Sequence, residues 1–168
     1  MKKVAIIILH IFLGLKLYAC ECDFSYSLKK LDSINFRNYK IVLTGEIFQI
    51  SDTQYSIKVI DVLKGNIRNK IITGIYGRDF GSTSSCAFYP RYQNVYLLFL
   101  TEVQGPDGLY YYASECVGNR SLNLADCLYC SQNEDIKEKQ FQYTKKWINK
   151  NKQKKTPSRN AIKVNRKY

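Results

Sequence analysis

Histidine is nearly missing from this chain of 168 residues: the single one, His10, lies among the first ten, and none follows. Without an imidazole, Ser/His and Cys/His nucleophile systems and histidine-based metal sites are excluded beyond that point. Long apolar stretches are scarce too. The one run of note, Val4 to Leu15, is shorter than the ~20 residues that a membrane-spanning helix needs. Acid is missing from the last segment, where Lys145 to Tyr168 carries ten Lys/Arg and no Asp or Glu. No internal repeat and no long low-complexity stretch breaks up the text, which excludes a repeat architecture.

The N-terminus reads as an address. Lys2 and Lys3 precede the apolar run and Ala19 offers a small residue at the cut, so residues 1–19 are expected to be a secretory signal peptide. Lys16 and Tyr18 depart from the usual layout, and an uncleaved N-terminal anchor is the alternative. Leu17-Tyr18-Ala19-Cys20 also resembles a bacterial lipobox, in which Cys20 would carry lipid. Tyr18 fits that motif poorly, and simple secretion is the reading adopted here. The expected location is extracellular or periplasmic, with a lipid anchor at Cys20 as the alternative. Either cut makes Cys20 the first mature residue.

Beyond the signal there is enough chain for one domain with a sizeable core. The formal charge of +12 misleads, because Cys20 to Thr144 balances 13 Lys/Arg against 14 Asp/Glu. The basicity belongs to the C-terminal end, and the pI says little about the domain's own partners. All six cysteines lie at or after position 20. An even number in an exported chain reads as up to three disulfides, with the connectivity open.

Periodicity outlines the elements. Phe24, Leu28 and Leu31 fall at helical spacing, with Ile34 able to extend the face. From Tyr39 the text turns to strands: Ile41 to Ile50, then Tyr55 to Leu63 with Tyr55, Ile57 and Val59 on one face, closed by the turn Lys64-Gly65-Asn66. Ile71-Ile72-Thr73 is a short strand before a Gly/Ser-rich loop over 77–85. Asn94 to Val103 reads as a buried central strand, and Gly105-Pro106-Asp107-Gly108 turns it into a hairpin partner, Leu109 to Ser114. Glu134 to Asn149 is expected to be a helix docking Ile136, Phe141, Thr144, Trp147 and Ile148 on the sheet. Residues 150–168 are expected to be a basic, disordered tail. About five strands flanked by helices imply a small barrel or sandwich, and pattern does not choose between them.

The cysteine framework adds to this. Cys20-Glu21-Cys22 opens the mature chain, Val59-x-x-Val62-x-Lys64-Gly65 ends a strand, Cys86 lies in a loop and Cys116 closes a hairpin. Together, over Cys20 to Cys116, they resemble the netrin-module superfamily, and in particular the domain of the tissue inhibitors of metalloproteinases. The resemblance implies a mostly β, disulfide-tied fold: a five-stranded OB-type barrel with flanking helices over residues 20–149. It also implies the bridges Cys20–Cys86 and Cys22–Cys116. Each would restrict the unfolded chain by roughly 4 kcal/mol in the loop-entropy account, and together they would clamp its free end.

In those inhibitors the first residue's α-amino nitrogen and carbonyl oxygen chelate the protease zinc. Cys20 would hold that role, with Glu21 entering the specificity pocket and Cys22 fixing the edge. An α-amine titrates near neutrality and is partly unprotonated, and catalytic zinc keeps an open coordination position. This sequence departs from the family at Glu21, where a small hydroxyl residue is usual, and at Asp23-Phe24, where an apolar-proline pair is usual. Burying Glu21 in an apolar pocket is costly, and acylation of Cys20 would abolish chelation.

Cys127-Leu128-Tyr129-Cys130 lacks the βαβ pattern of a redox motif and lacks partners for a zinc site, so a local Cys127–Cys130 disulfide is expected. Asp23, Glu46, Asp61, Asp79 and Glu115 show no spacing that singles out an acid/base pair, and no enzyme activity or cofactor is expected. Tyr110-Tyr111-Tyr112 reads as packing rather than as a stacking platform, and no specific nucleic-acid partner is expected. Asn119-Arg120-Ser121 matches a glycosylation sequon. The function expected is a binding domain for a protein partner, a metalloproteinase in the specific form. The alternative is a surface-attachment module whose basic tail meets an anionic envelope.

Overall fold

A computed structural model describes residues 27–77, 87–126 and 133–155, with side chains as far as residue 152. Helix α1 (Leu28–Asn38) leads into β1 (Ile41–Ile50), β2 (Gln54–Lys64) and β3 (Ile71–Ile75). Then come β4 (Val95–Gln104), β5 (Leu109–Tyr112), a 3-10 turn (Glu115–Val117), β6 (Arg120–Ser121), a second 3-10 turn (Leu124–Asp126) and helix α2 (Glu134–Lys155). The strand order is β1-β2-β3-β5-β4-β6, and β1 also pairs with β4. Five strands thus close into a barrel, with β3 and β5 as the parallel seam and β6 added outside β4.

Closure explains the sequence text of β4. Tyr96, Leu98 and Leu100 point into the barrel among Leu43, Ile47, Tyr55, Ile57 and Phe88. Leu97 and Phe99 point outward beneath the helices, with Val42, Leu63, Phe36, Trp147 and Ile148. Both faces are covered, so the strand is continuously apolar instead of alternating. β1 serves two neighbours, matching Ile41 with Leu100 on one side and Val42 with Lys64 on the other.

The β1–β2 pairing shifts register at three places, Val42/Leu43, Thr44/Gly45 and Ile47/Gln49. Each β-bulge adds a residue to one strand and bends it. Two of them interrupt the alternation of β2: Ile60 is turned out to solvent, and Leu63 is turned into the cluster under α2. The bend also needs Gly45, because a Cβ there would lie 2.4 Å from Ile57.

Tyr55 fills the barrel interior, fully buried, and its hydroxyl finds no hydrogen-bond partner among the described residues. Desolvation pushes its phenol pKa far up. Tyr143 on α2 is pushed up to about 12, first by burial and then by the Asp32 carboxylate that it faces. Both phenols ionise more easily in the unfolded chain, at an ordinary value of about 10. Their contribution to stability is therefore intact below pH 10 and is lost as pH rises through the raised folded values. Tyr55→Phe is expected to raise stability by about 1–2 kcal/mol at neutral pH, since it removes an unsatisfied polar atom, and to flatten the alkaline decline. Urea titrations at pH 7 and pH 11 check both; a destabilised variant would mean that the hydroxyl has a partner.

Several expectations need correction. The buried stripe of α1 is polar at its centre, with Asp32 and Asn35 inside and Leu31 and Ile34 only half-buried; Phe24 lies outside the described residues. In α2, Phe141, Thr144 and Ile148 are buried as expected, but Ile136 is 47% exposed. The helix also runs on to Lys155 with Asn151 buried, so residues 150–155 belong to it and not to a tail. Asn119 is fully buried, so the sequon offers no acceptor in the folded chain. Among the described residues, no helix is long and apolar enough to cross a membrane.

Candidate functional site

The edge where α1 begins is held by an unusual density of polar contacts. Ser27 caps the helix, its Oγ accepting from the Lys30 amide, and Leu31 in the first turn sits against Gly118. Gly118 has a φ of +77°, and a Cβ there would lie 2.9 Å from Leu31, so both conformation and space call for glycine. The neighbouring Asn119 accepts from the Phe99 amide at 2.6 Å and donates to the Ser114 carbonyl at 2.7 Å. Asn35 donates from α1 to the Val117 carbonyl. Residues 114–119 are thereby fastened to α1 and to β4.

Cys116 lies in this loop and is engaged in a disulfide. Its partner lies outside the described residues, as do Cys20, Glu21, Cys22, Cys86, Cys127 and Cys130. The expected bridges Cys20–Cys86, Cys22–Cys116 and Cys127–Cys130 are therefore left as expectations. One described contact bears on them: Ala87, the residue after Cys86, forms an antiparallel bridge with Ser114, two residues before Cys116. The Phe88 amide donates to the Ala113 carbonyl beside it at 3.1 Å.

From that bridge the chain runs into a loop that sequence reading did not single out. Tyr89 stacks on Tyr76 with ring centroids 5.0 Å apart, and Tyr89 and Tyr92 are 54% and 59% exposed. The loop's backbone is pinned: the Arg91 amide donates to the Tyr96 hydroxyl at 2.8 Å, and the Gln93 amide to the Ile47 carbonyl at 2.7 Å. Gln93 takes a φ of +59° to make this turn. Two exposed tyrosines on a fixed loop are typical protein-contact residues, large and cheap in side-chain entropy. The available signal is Phe88-Tyr89-Pro90-Arg91-Tyr92, two residues after Cys86. The Tyr110-Tyr111-Tyr112 run, by contrast, is buried in β5 and offers no platform.

At Val117 an open cleft of about 560 Å³ is lined also by Asn35, Asn38, Tyr39, Lys40, Leu100, Thr101 and Glu102. Its walls mix polar, charged and apolar side chains, as a cleft for a peptide or loop does.

The resemblance motif has a visible structural task. Lys64 donates its ammonium to the carbonyls of Phe36 and Arg37 at 2.6 and 2.9 Å, capping the C-terminus of α1. Those carbonyls lack partners within the helix, and a cation there also opposes the helix dipole. Gly65 follows with a φ of +91°, and a Cβ would lie 2.7 Å from the Lys40 carbonyl. Lys64-Gly65 therefore locks the first helix to the barrel.

The described carboxylates that face bases are in ion pairs: Asp32 with Arg120, Asp61 with Lys152, Glu46 with Lys58 and Glu134 with Lys137. Among the described residues, no three His, Cys, Asp or Glu side chains gather closely enough to hold a metal ion. No family model and no curated protein matches this chain.

Proposed function

We propose that this chain is an exported, non-enzymatic binding domain of the netrin/tissue-inhibitor type, whose barrel is an OB fold. The strand order, closing β1 on β4 with a parallel β3–β5 seam, supports the OB reading, which is a five-stranded Greek-key barrel. Its contact surface is the N-terminal edge: Cys20, Glu21 and Cys22, together with Tyr89 and Tyr92 on the neighbouring loop.

The observation that carries this reading is the Ala87–Ser114 bridge beside the disulfide-bonded Cys116. Residues facing each other across such a bridge stand about 4.5–5.5 Å apart. The two cysteines of an extended Cys-x-Cys segment stand about 6.5–7 Å apart. These spacings are compatible with the proposed Cys20–Cys86 and Cys22–Cys116 bridges, which in this reading would hold the N-terminal segment by its cysteines and leave its α-amine free. The partner proposed is a zinc protease, whose metal would accept the Cys20 amine and carbonyl.

Glu21 sets the affinity in this account. An ionised carboxylate is poorly tolerated in an apolar specificity pocket, so Glu21→Thr is expected to tighten inhibition at least tenfold. One alanine added before Cys20 is expected to abolish it. The experiment is non-reducing peptide mapping of the mature protein, followed by inhibition assays of the three forms against zinc metalloproteinases. Bridges other than Cys20–Cys86 and Cys22–Cys116 would overturn the family assignment. Correct bridges with no inhibition, even by Glu21→Thr, would overturn zinc chelation.

A further inference from the structure

Charge on the two helices is segregated in a way that the sequence totals hide. In α1 the only acid is Asp32, which is buried and paired with Arg120, so the exposed charges of that helix are Lys29, Lys30 and Arg37. In α2 the acids Glu134, Asp135 and Glu138 lie in the first two turns, and none occurs from Lys139 to Lys155. The helices meet where Phe36 packs edge-on against Trp147, with ring centroids 5.4 Å apart. A shallow groove beside that contact is lined by Ser33, Phe36, Trp147, Lys150 and Asn151. Arg37 stands one turn from Ser33 on one side, and Lys146 one turn from Lys150 on the other. Lys146, Lys150 and Arg37 are all exposed.

We infer that this two-helix face is a docking surface for an anionic phospholipid bilayer. The argument is charge complementarity: exposed cations on both helices, with Asp32 buried against Arg120 and Asp61 neutralised by Lys152, and a backing by the barrel. A lysine or arginine held near an anionic leaflet contributes about a fivefold factor in binding, and the effect fades within a Debye length. Nucleic acid fits less well. Its single-stranded forms need aromatic faces for stacking, and here Phe36 and Trp147 are turned against each other. A tryptophan half-buried between basic side chains instead suits the headgroup level of a membrane. The surface is separate from the N-terminal edge, and the inference does not depend on the function proposed for that edge.

The test is co-sedimentation of the full mature chain with vesicles of phosphatidylcholine alone or with 30% phosphatidylglycerol. Binding is expected only to the anionic vesicles and is expected to weaken steeply as salt rises. The triple variant Arg37→Glu, Lys146→Glu, Lys150→Glu is expected to lose at least 100-fold in affinity while its circular dichroism spectrum stays that of the folded parent, since all three side chains are exposed. Lys146→Arg with Lys150→Arg should bind like the parent. Truncation after Lys155 should keep at least a tenth of the affinity, because the rigid face remains. Three results would overturn the inference: equal binding to neutral vesicles, full loss on truncation with no effect of the triple variant, or displacement from vesicles by equimolar duplex DNA.

Discussion

Arg120→Ala is expected to lower the unfolding free energy by about 3–5 kcal/mol, the usual result when one partner of a buried ion pair is removed. Arg120 is 1% exposed, and its guanidinium meets both oxygens of Asp32 at 2.8 and 2.7 Å. Its remaining donors reach the Gly118 carbonyl at 2.9 Å and Thr144 Oγ1 at 3.1 Å. One side chain on β6 thus binds α1, α2 and the loop behind Cys116. Deleting it strands the Asp32 carboxylate in an environment without water, and that stranded charge is the main cost. Arg120→Lys should rescue little, because an ammonium cannot reproduce the fork that engages two carboxylate oxygens. The double variant Asp32→Leu, Arg120→Met should recover most of the loss, because it removes both charges and fills the space. Trp147 is the chain's only tryptophan and sits against Phe36 and Phe99, so its fluorescence in urea reports the transition directly. A single variant costing under 1 kcal/mol would mean that water reaches the pair, and the account of a sealed clamp would be wrong.

Gly74→Ala should be nearly as damaging, for a steric reason. On β3, Gly74 pairs with Tyr55 on one side and with Tyr111 across the parallel seam. The Tyr55 ring lies over the glycine, and a Cβ there would sit 2.2 Å from it. Tyr55 is 1% exposed inside a packed barrel, so the ring cannot swing away cheaply. Overpacking of this kind costs about 1–3 kcal/mol, and the depth of this overlap points to the upper end. The two sites should also be strongly coupled. In a Tyr55→Leu background, the same Gly74→Ala change should cost less than about 1 kcal/mol, since the two atoms of deepest overlap, Cε2 and Cζ, are gone. Equal costs in the two backgrounds would show that the loss comes from β3's backbone and not from the ring.

Much of the fold was legible in the sequence because strand and helix periods are local. The alternation of Tyr55, Ile57 and Val59, the hairpin signal Gly105-Pro106-Asp107-Gly108 and the apolar run from Val95 to Leu100 each reflect a single stretch of backbone. β2 (Gln54–Lys64), β4 (Val95–Gln104) and the β4–β5 hairpin follow them. The reading weakened at β2's second half, where bulges opposite Leu43 and Gly45 change which side chains face inward. A bulge is an agreement between two strands, and neither strand's text announces it.

The candidate edge was legible only in part. The cysteine pattern drew attention to Cys116, and that residue does lie in a disulfide on a firmly held loop. Tyr89 and Tyr92 carry no signal of their own, because a tyrosine in a loop looks the same whether its ring is buried or presented. In the sequence Lys64-Gly65 reads as a turn and as part of a family-like motif. Its use as a cap for α1 depends on a helix that ends 26 residues earlier in the chain, at Asn38.

The sequence by itself determined the local elements, the charge layout and the shortage of catalytic side chains, since each follows from residue identity or from short-range spacing. Tertiary structure decided the rest. It closed the sheet through β1–β4 and β3–β5 pairing, and it chose the polar stripe of α1 for burial. It also joined Asp32 to Arg120 across 88 residues of chain. A carboxylate in a helix and an arginine in a strand each read as surface residues when taken alone. Only when the helices and β6 exclude water from the same point do the two charges have to meet.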